Sequence, residues 1–255
     1  MLTERREFLG VAFDSVSKDG VLAFLADSAA ETSYRFVVTP NVDHLVRLQD
    51  DQQAGGQLKR IYDQADLCLC DSKILHILGR LRGVDLPVVA GSELTALMFD
   101  HVIRPGDRVA IVGGDEEQLG ALETKYPGVE FVQHRPPMGL RHNSAARRAA
   151  AEFVAHSAAR FAFIAVGSPQ QEMIAAEARS VPRARGTSLC IGASLDFLTG
   201  RQKRAPRLAR RLGLEWAHRL LSDPRRMWRR YLLEGPRIFA LAWRWGPPRH
   251  GAASK

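Results

Sequence analysis

Residues 107–126 read DRVAIVGGDEEQLGALETKY. The apolar run 109–112 has the length of a strand, the glycine pair after it makes a turn, and the remainder has the spacing of a helix. The same order recurs along the chain. RFAFIAVGSPQQEMIAAEAR (160–179) repeats it, while RFVVTPN (35–41) and ADLCLCD (65–71) are short strands that end in polar turns before helical segments. VEFVQHRPPMG (129–139) is a strand and a loop ahead of an alanine-rich helix at 143–158. LPVVAGSE (86–93) leads into a further helix, and TSLCIGASLDF (187–197) is a last strand. Strands that alternate with helices predict an α/β fold, a parallel sheet with helices on both faces.

In such sheets ligands bind beyond the carboxyl ends of the strands. That rule selects the turns Thr39-Pro40-Asn41, Asp71-Ser72, Gly113-Gly114, Arg135-Pro136-Pro137 and 167–171, together with the segment after Ile191. Gly113 and Gly114 let the backbone approach a ligand, and the helix start favours an anion, although lone glycine turns are common in α/β folds. Ser168 can cap the helix behind it, Pro169 suits that helix's first turn, and Gln171 can bond a sugar or a phosphate. Asp71 ends an apolar strand, where a carboxylate is placed either to abstract a proton or to cap the next helix. Asp66, at the strand's other end, reads as a solvated turn residue. Thr39 and Asn41 add neutral hydrogen-bonding groups, and His44, one turn into a helix, has either a crevice-facing or a structural role.

The chain has 255 residues, 45% hydrophobic and 25% charged, which fits one large domain or a domain with an appendage. Its charge is uneven. Of the net +8, residues 201–255 hold 15 Lys+Arg against 3 Asp+Glu, leaving 21 basic and 25 acidic residues before them. The basic tail calls for an anionic partner: lipid headgroups, nucleic acid or phosphates. Cys68, Cys70 and Cys190 sit in apolar runs and read as buried free thiols of a reducing compartment. The N-terminal stretch lacks a signal-peptide run, and nothing approaches the ~20 apolar residues of a spanning helix, so a cytoplasmic protein with peripheral membrane contact is expected. No HExxH pair, GKS/T phosphate loop or GxSxG elbow occurs, and no metal site is expected.

The tail contains DPRRMWRRYLL (223–233). A helix begun at Pro224 and advanced about 100° per residue puts Arg225, Arg226, Arg229 and Arg230 in one arc and Met227, Trp228, Tyr231 and Leu232 opposite. Such a helix can lie on an anionic membrane, follow a phosphate backbone, aim arginines into a site, or be a solvated surface helix. Three segments follow from the change of pattern: a catalytic-type α/β domain over 1–198, a basic amphipathic appendage over 199–245, and a disordered end over 246–255.

The motifs TPNVDH, ADLCLCDS, VAGSEL, VAIVGG, RPPMG, VGSPQQE, IGASLDFLTG, RAP, GLEWAHRL and DPRRMWRRY occur in this order. The series resembles the WecG/TagA/CpsF family of bacterial glycosyltransferases over nearly the whole chain. The resemblance implies a Rossmann-like fold with a C-terminal basic helical appendage. It also implies inverting transfer of a sugar from a UDP-sugar to a polyprenyl-diphosphate-linked saccharide, peripherally on the inner face of the plasma membrane. By the same resemblance Asp71 takes the place of the proposed base, Thr39 and Asn41 match Thr-x-Asn, Gln171 matches the Gln of PxQE, and Asp196 lies near the nucleotide. Gly113, Gly114 and Pro137 join these as substrate-binding positions. Arg219, Arg226 and Arg229 match the arginines that complete the active site. Two positions depart from the pattern, Ser72 where the family has Gly and Gln170 where it has Lys.

This picture suits the charge of the tail. Arginines bind diphosphate bidentately and stabilise the leaving UDP without a metal, and one inverting step needs one base. No DxD-type pair is present, so no cofactor beyond the donor is expected. The alternative is a non-enzymatic, nucleotide-responsive RNA- or DNA-binding protein, with Trp and Tyr stacking beside arginines. A third use of the tail is packing in a homo-oligomer.

Overall fold

The structure, a computed structural model, describes residues 4–28, 33–53, 55–203, 205–206, 209 and 214–246; the side chains of Arg226 and Arg230 fall outside that set. The nine residues after Gly246, which hold nearly all of the expected disordered end, also lie outside the described residues.

The chain opens with a hairpin that the periodicity reading overlooked. Strands β1 (Arg5–Phe8) and β2 (Val11–Asp14) pair antiparallel across Leu9-Gly10, both at positive φ (53° and 76°). Positive φ at both turn positions matches the twist of a two-residue hairpin, but leucine is a rare first residue there, so the turn carries no Asn-Gly or Asp-Gly mark. Helix α1 (Lys18–Ala26), capped by Ser17, follows.

The main sheet has six strands: β3 (Arg35–Val38), β4 (Leu67–Cys68), β5 (Arg108–Val112), β6 (Glu130–His134), β7 (Phe161–Ile164) and β8 (Thr187–Cys190). They lie in the order β4-β3-β8-β7-β5-β6, and every pairing is parallel. Side chains alternate between two cores. Phe36, Val38, Ala110, Val112, Ala162, Ile164 and Cys190 face one cluster, and Val37, Val109, Ile111, Phe161, Phe163 and Leu189 face the other. Helices α2 (Val42–Gln53), α3 (Gln57–Gln64), α4 (Lys73–Leu81), α7 (Ser144–His156) and α8 (Gln170–Arg179) supply the first. The second receives α1, α5 (Gly91–His101), α6 (Glu116–Lys125) and α9 (Ser194–Leu198). The expected Rossmann-like parallel sheet covered on both faces is the observed one.

Asp66 is not a solvated turn residue. Its carboxylate accepts the Phe36 N–H at 2.8 Å and pairs with Arg179, tying β3 to α8. Burial of the strand start explains this, because an exposed carboxylate would leave that N–H without an acceptor.

From Glu215 to Arg244 the chain is mostly helical: α10 (Glu215–Ser222), α11 (Pro224–Trp228), a π-helical stretch Arg229–Glu234 and α12 (Arg237–Arg244). The apolar face expected of Met227, Trp228, Tyr231 and Leu232 is divided: Met227, Tyr231 and Leu232 line the crevice described below, Leu232 while still half exposed, and Trp228 is exposed outside the lining. The π-helical stretch breaks the even 100° advance beyond Trp228. Helix α12 is packed on the body. Ile238 and Ala242 are buried, Trp245 meets Phe8 edge-on at 5.1 Å, and Arg237 pairs with Asp50 on α2 at 2.6 Å.

Candidate active site

A crevice of ≈1960 Å³ runs along the carboxyl ends of the strands. One wall is the sheet rim with the first turns of the helices that leave it. The other is the C-terminal segment, through Trp216, Arg219, Met227, Tyr231 and Phe239. Parallel strands put the start of each following helix on the same rim, so main-chain N–H groups and positive dipole ends converge on one space, which favours a ligand carrying phosphate.

Thr39, Asn41, Asp71, Gly114, Gln171, Asp196 and Arg219 all line this crevice. Thr39, buried at the end of β3, donates its hydroxyl to the Cys190 carbonyl at 3.1 Å and so ties two neighbouring strand ends. Asp71 is fixed through its N–H to the Pro40 carbonyl at 3.0 Å. Its side chain is not the cap of α4. That role belongs to Ser72, whose hydroxyl accepts from the Leu75 N–H at 3.3 Å. Ser72 is extended (φ −159°), a conformation open to any residue, so serine in place of the family's glycine brings no backbone strain here.

Gly91 begins α5 opposite these groups. A Cβ on it would lie 3.1 Å from Thr39 Oγ1 and 3.6 Å from both Asp71 Oδ2 and Ser194 Oγ. A hydroxyl, a carboxylate and a second hydroxyl from three strand ends therefore surround one small residue. The motif VAGSEL contains Gly91, but only the fold reveals why it is small.

The glycine turn after β5 is held from its side chains. Gly114 (φ 69°) leaves room for Gln118, whose Oε1 would meet a Cβ there at 2.2 Å. Gln118 is buried and donates to Asp196 at 2.8 Å, joining the β5–α6 and β8–α9 turns. Gly113 stands just behind the lining, its N–H bonded to the His134 carbonyl at 2.9 Å. Asp115 caps α6 and grips Arg201 at 2.7 Å, which also reaches Glu117 at 3.3 Å. The cap and the arginine together hold the Asp115 carboxyl below its usual range. An acidic turn facing the first basic residue of the tail was the signal for this pair, and local patterns gave it no partner.

The turn after β7 differs from the expectation. Pro169 is the N-cap of α8 rather than part of its first turn, and no side chain, that of Ser168 included, caps the helix. Gln171 is buried and committed on both sides: Oε1 accepts from the Gly192 N–H and Nε2 donates to Glu172, each at 2.9 Å. His44 is buried, with Nδ1 2.8 Å from Asn41 Oδ1 and Nε2 3.7 Å from Glu172. Burial pushes the Glu172 carboxyl above its usual range, against the pull of the Gln171 hydrogen bond.

Two of the expected site residues stand elsewhere, and the side chain of a third is not described. Pro137 follows the edge strand β6 and is exposed outside the lining. Arg229 is exposed and pairs with Glu234 at 3.2 Å. Arg226 lies in α11, with its side chain outside the described residues. Of the two arginines whose side chains are described, Arg219 lines the crevice, its guanidinium 5.2 Å above the Phe197 ring.

Among the described residues no group of three or more His, Cys, Asp or Glu side chains is arranged to hold a metal ion. None of the described helices is long and apolar enough to cross a membrane.

The family model for the glycosyl transferase WecG/TagA/CpsF family matches residues 6–251. The chain belongs to that family. This WecG/TagA/CpsF member is thus a glycosyltransferase, and its family implies a nucleotide-sugar donor and an acceptor as substrates. Membership spans hairpin, sheet and C-terminal helices alike, so the crevice between body and tail lies within the matched region.

Proposed function

We propose that the protein is an inverting, metal-independent glycosyltransferase that moves a sugar from a UDP-sugar to a polyprenyl-diphosphate-linked saccharide in cell-surface polysaccharide synthesis. The observation that carries this reading is the pairing of Asp71 at a strand end with Arg219 on the opposite wall of one crevice. Asp71 takes the acceptor hydroxyl proton as that oxygen attacks the sugar carbon and UDP departs on the other side. A single carboxylate is enough for one displacement. Arg219 meets the charge that develops on the departing diphosphate, a contribution that grows as the bond breaks. Thr39 and Asn41 orient the transferred sugar, while the Gly113-Gly114 turn and Asp196 receive the nucleotide.

The tail supplies the meeting with lipid. Leu221, Trp228, Leu233 and Trp243 are exposed on it, among arginines. Apolar side chains beside cations suit an anionic bilayer surface, where each Lys or Arg adds about 1 kcal/mol of attraction. Arg229, on the outer side with Glu234, is assigned to that surface, and Arg219 to the leaving group. A nucleic-acid reading would use the same exposed Trp228 and Trp243, whereas Tyr231 lies 6.2 Å from Trp216 and lines the crevice; flotation on anionic vesicles against RNA retention at matched salt separates the two.

The test is transfer from a panel of UDP-sugars to a short-chain polyprenyl-diphosphate saccharide, with and without chelator, comparing wild type with Asp71→Asn. Loss of turnover in a folded Asp71→Asn protein is expected. Undiminished turnover would remove Asp71 from the base role.

A further inference from the structure

Glu172 is almost wholly buried, at 1% exposure, directly behind the crevice and outside its lining. Its neighbours come from each element packed against it: the Tyr62 hydroxyl of α3, which donates to Oε1 at 3.3 Å, His44 of α2 with Nε2 at 3.7 Å, the Gln171 amide of α8, and the Cys190 thiol of β8. Burying a carboxyl in a sheet-facing helix is costly unless its oxygens are engaged. The crevice chemistry described above makes no use of it.

We propose that Glu172 is a positioning residue that holds two parts of the active site from behind. The first is the turn after β8. An amide side chain can present either end, and Oε1 of Glu172 draws the NH₂ of Gln171 towards itself, leaving the Gln171 oxygen to accept the Gly192 N–H at 2.9 Å. Gly192 opens the segment that carries Ser194 and Asp196 into the crevice. The second is the Asn41 turn: His44 Nδ1 lies 2.8 Å from the Asn41 side-chain oxygen and accepts the Asn41 main-chain N–H at 3.2 Å, while Nε2 lies 3.7 Å from Glu172, an electrostatic contact rather than a hydrogen bond. Oε1 accepts from both Gln171 and Tyr62, so it serves as an acceptor whether or not the carboxyl is protonated, and the positioning does not depend on its titration. Gln171 is accordingly the middle link of a chain from core to crevice.

The link between Glu172 and Gly192 stands on the structure alone. Its consequence for nucleotide binding rests on the reading of the site given above. Two measurements separate them, Gly192 amide hydrogen exchange followed by NMR and UDP binding followed by calorimetry. Glu172→Met keeps the length of the side chain and removes the acceptor, whereas Glu172→Gln keeps a carbonyl oxygen for the Oε1 position. In Glu172→Met the Gly192 amide should exchange about tenfold faster, the worth of one lost hydrogen bond, and UDP should bind about tenfold more weakly. Glu172→Gln should stay within about threefold of wild type in both, well inside the worth of that bond. Gln171→Met cuts the middle link and should loosen Gly192 as much as Glu172→Met does, which keeps the test available if one variant does not fold. Wild-type protection of Gly192 in folded Glu172→Met or Gln171→Met would overturn the proposal, as would Glu172→Gln behaving like Glu172→Met. A wild-type protein that ignores UDP while Gly192 still responds would sink the nucleotide reading and leave the positioning role standing.

Discussion

The guanidinium of Arg219 lies over the ring of Phe197, 5.2 Å from its centroid, and so joins helix α10 to the residue that follows Asp196. The contact aims a cation of the tail at the carboxyl rim of the sheet, and both residues line the crevice. Phe197→Leu keeps the apolar bulk and removes the ring face. It should lower turnover about three- to tenfold, in line with a cation–π contact of ~0.5–1.5 kcal/mol, and leave the melting temperature unchanged within a few degrees. If Arg219 meets the leaving diphosphate as proposed, Arg219→Lys should cost more, about 10²-fold in kcat, because a point charge would replace a bidentate fork there. Steady-state transfer assays beside thermal melts check both.

Gly91→Ala separates activity from stability. Alanine suits the start of a helix, and φ at Gly91 is not in the left-handed region, so α5 loses nothing. The added methyl meets Thr39 Oγ1 at 3.1 Å, while Thr39 is tethered to the Cys190 carbonyl. Turnover should fall about tenfold or more, since small displacements of reacting groups are costly, while the melting temperature holds or rises. A parallel loss of both would show that the crowding is relieved by disrupting the helix.

The pH dependence of stability should carry the mark of Glu172. Its carboxyl is raised from 4.5 by burial, so across the window above 4.5 the native state holds a proton that the unfolded state has released. Stability from this group is present in full at lower pH and declines as pH rises through that window. Glu172→Gln removes the titration, so its stability should fall less between pH 4.5 and 7 than that of wild type. Urea melts at several pH values read the difference in slope.

Membrane binding should follow the exposed apolar side chains of the tail. Trp228 is half exposed and Trp243 is 81% exposed. Replacing either with serine should weaken flotation on anionic vesicles about five- to tenfold, as expected for roughly 1 kcal/mol of buried aromatic surface. Arg237→Ala opens a half-exposed pair with Asp50 and should cost less than ~1 kcal/mol of global stability.

The parallel sheet was legible because each buried strand is a short apolar run closed by a turn, a pattern that survives without tertiary information. The rim was legible for the same reason. Thr39, Asn41, Asp71, Gly114, Gln171 and Asp196 each stand where a run ends, and a parallel sheet brings run ends together. What escaped depends on partners distant in sequence. Asp66 reads as solvent-exposed until β3 offers it the Phe36 N–H, and Asp115 and Arg201 are 86 positions apart. Pro137 was placed by the same strand-end rule, yet β6 is the edge strand and its loop is exposed outside the crevice. In the tail the helical wheel assumed an even winding that Arg229–Glu234 does not keep.

The three cysteines give the sheet a built-in chemical clock. Cys68 and Cys190 flank Val38 in register on adjoining strands, and Cys70 follows close by. Burial pushes the Cys70 thiol up to about 12 and the other two well above the ordinary range. Thiolate is the species that alkylating reagents capture, so labelling in native buffer proceeds only when these strands part. Timed iodoacetamide quenching, read by peptide mass, therefore counts openings of the central strands without any engineered probe, and substrate that clamps the rim should slow the count.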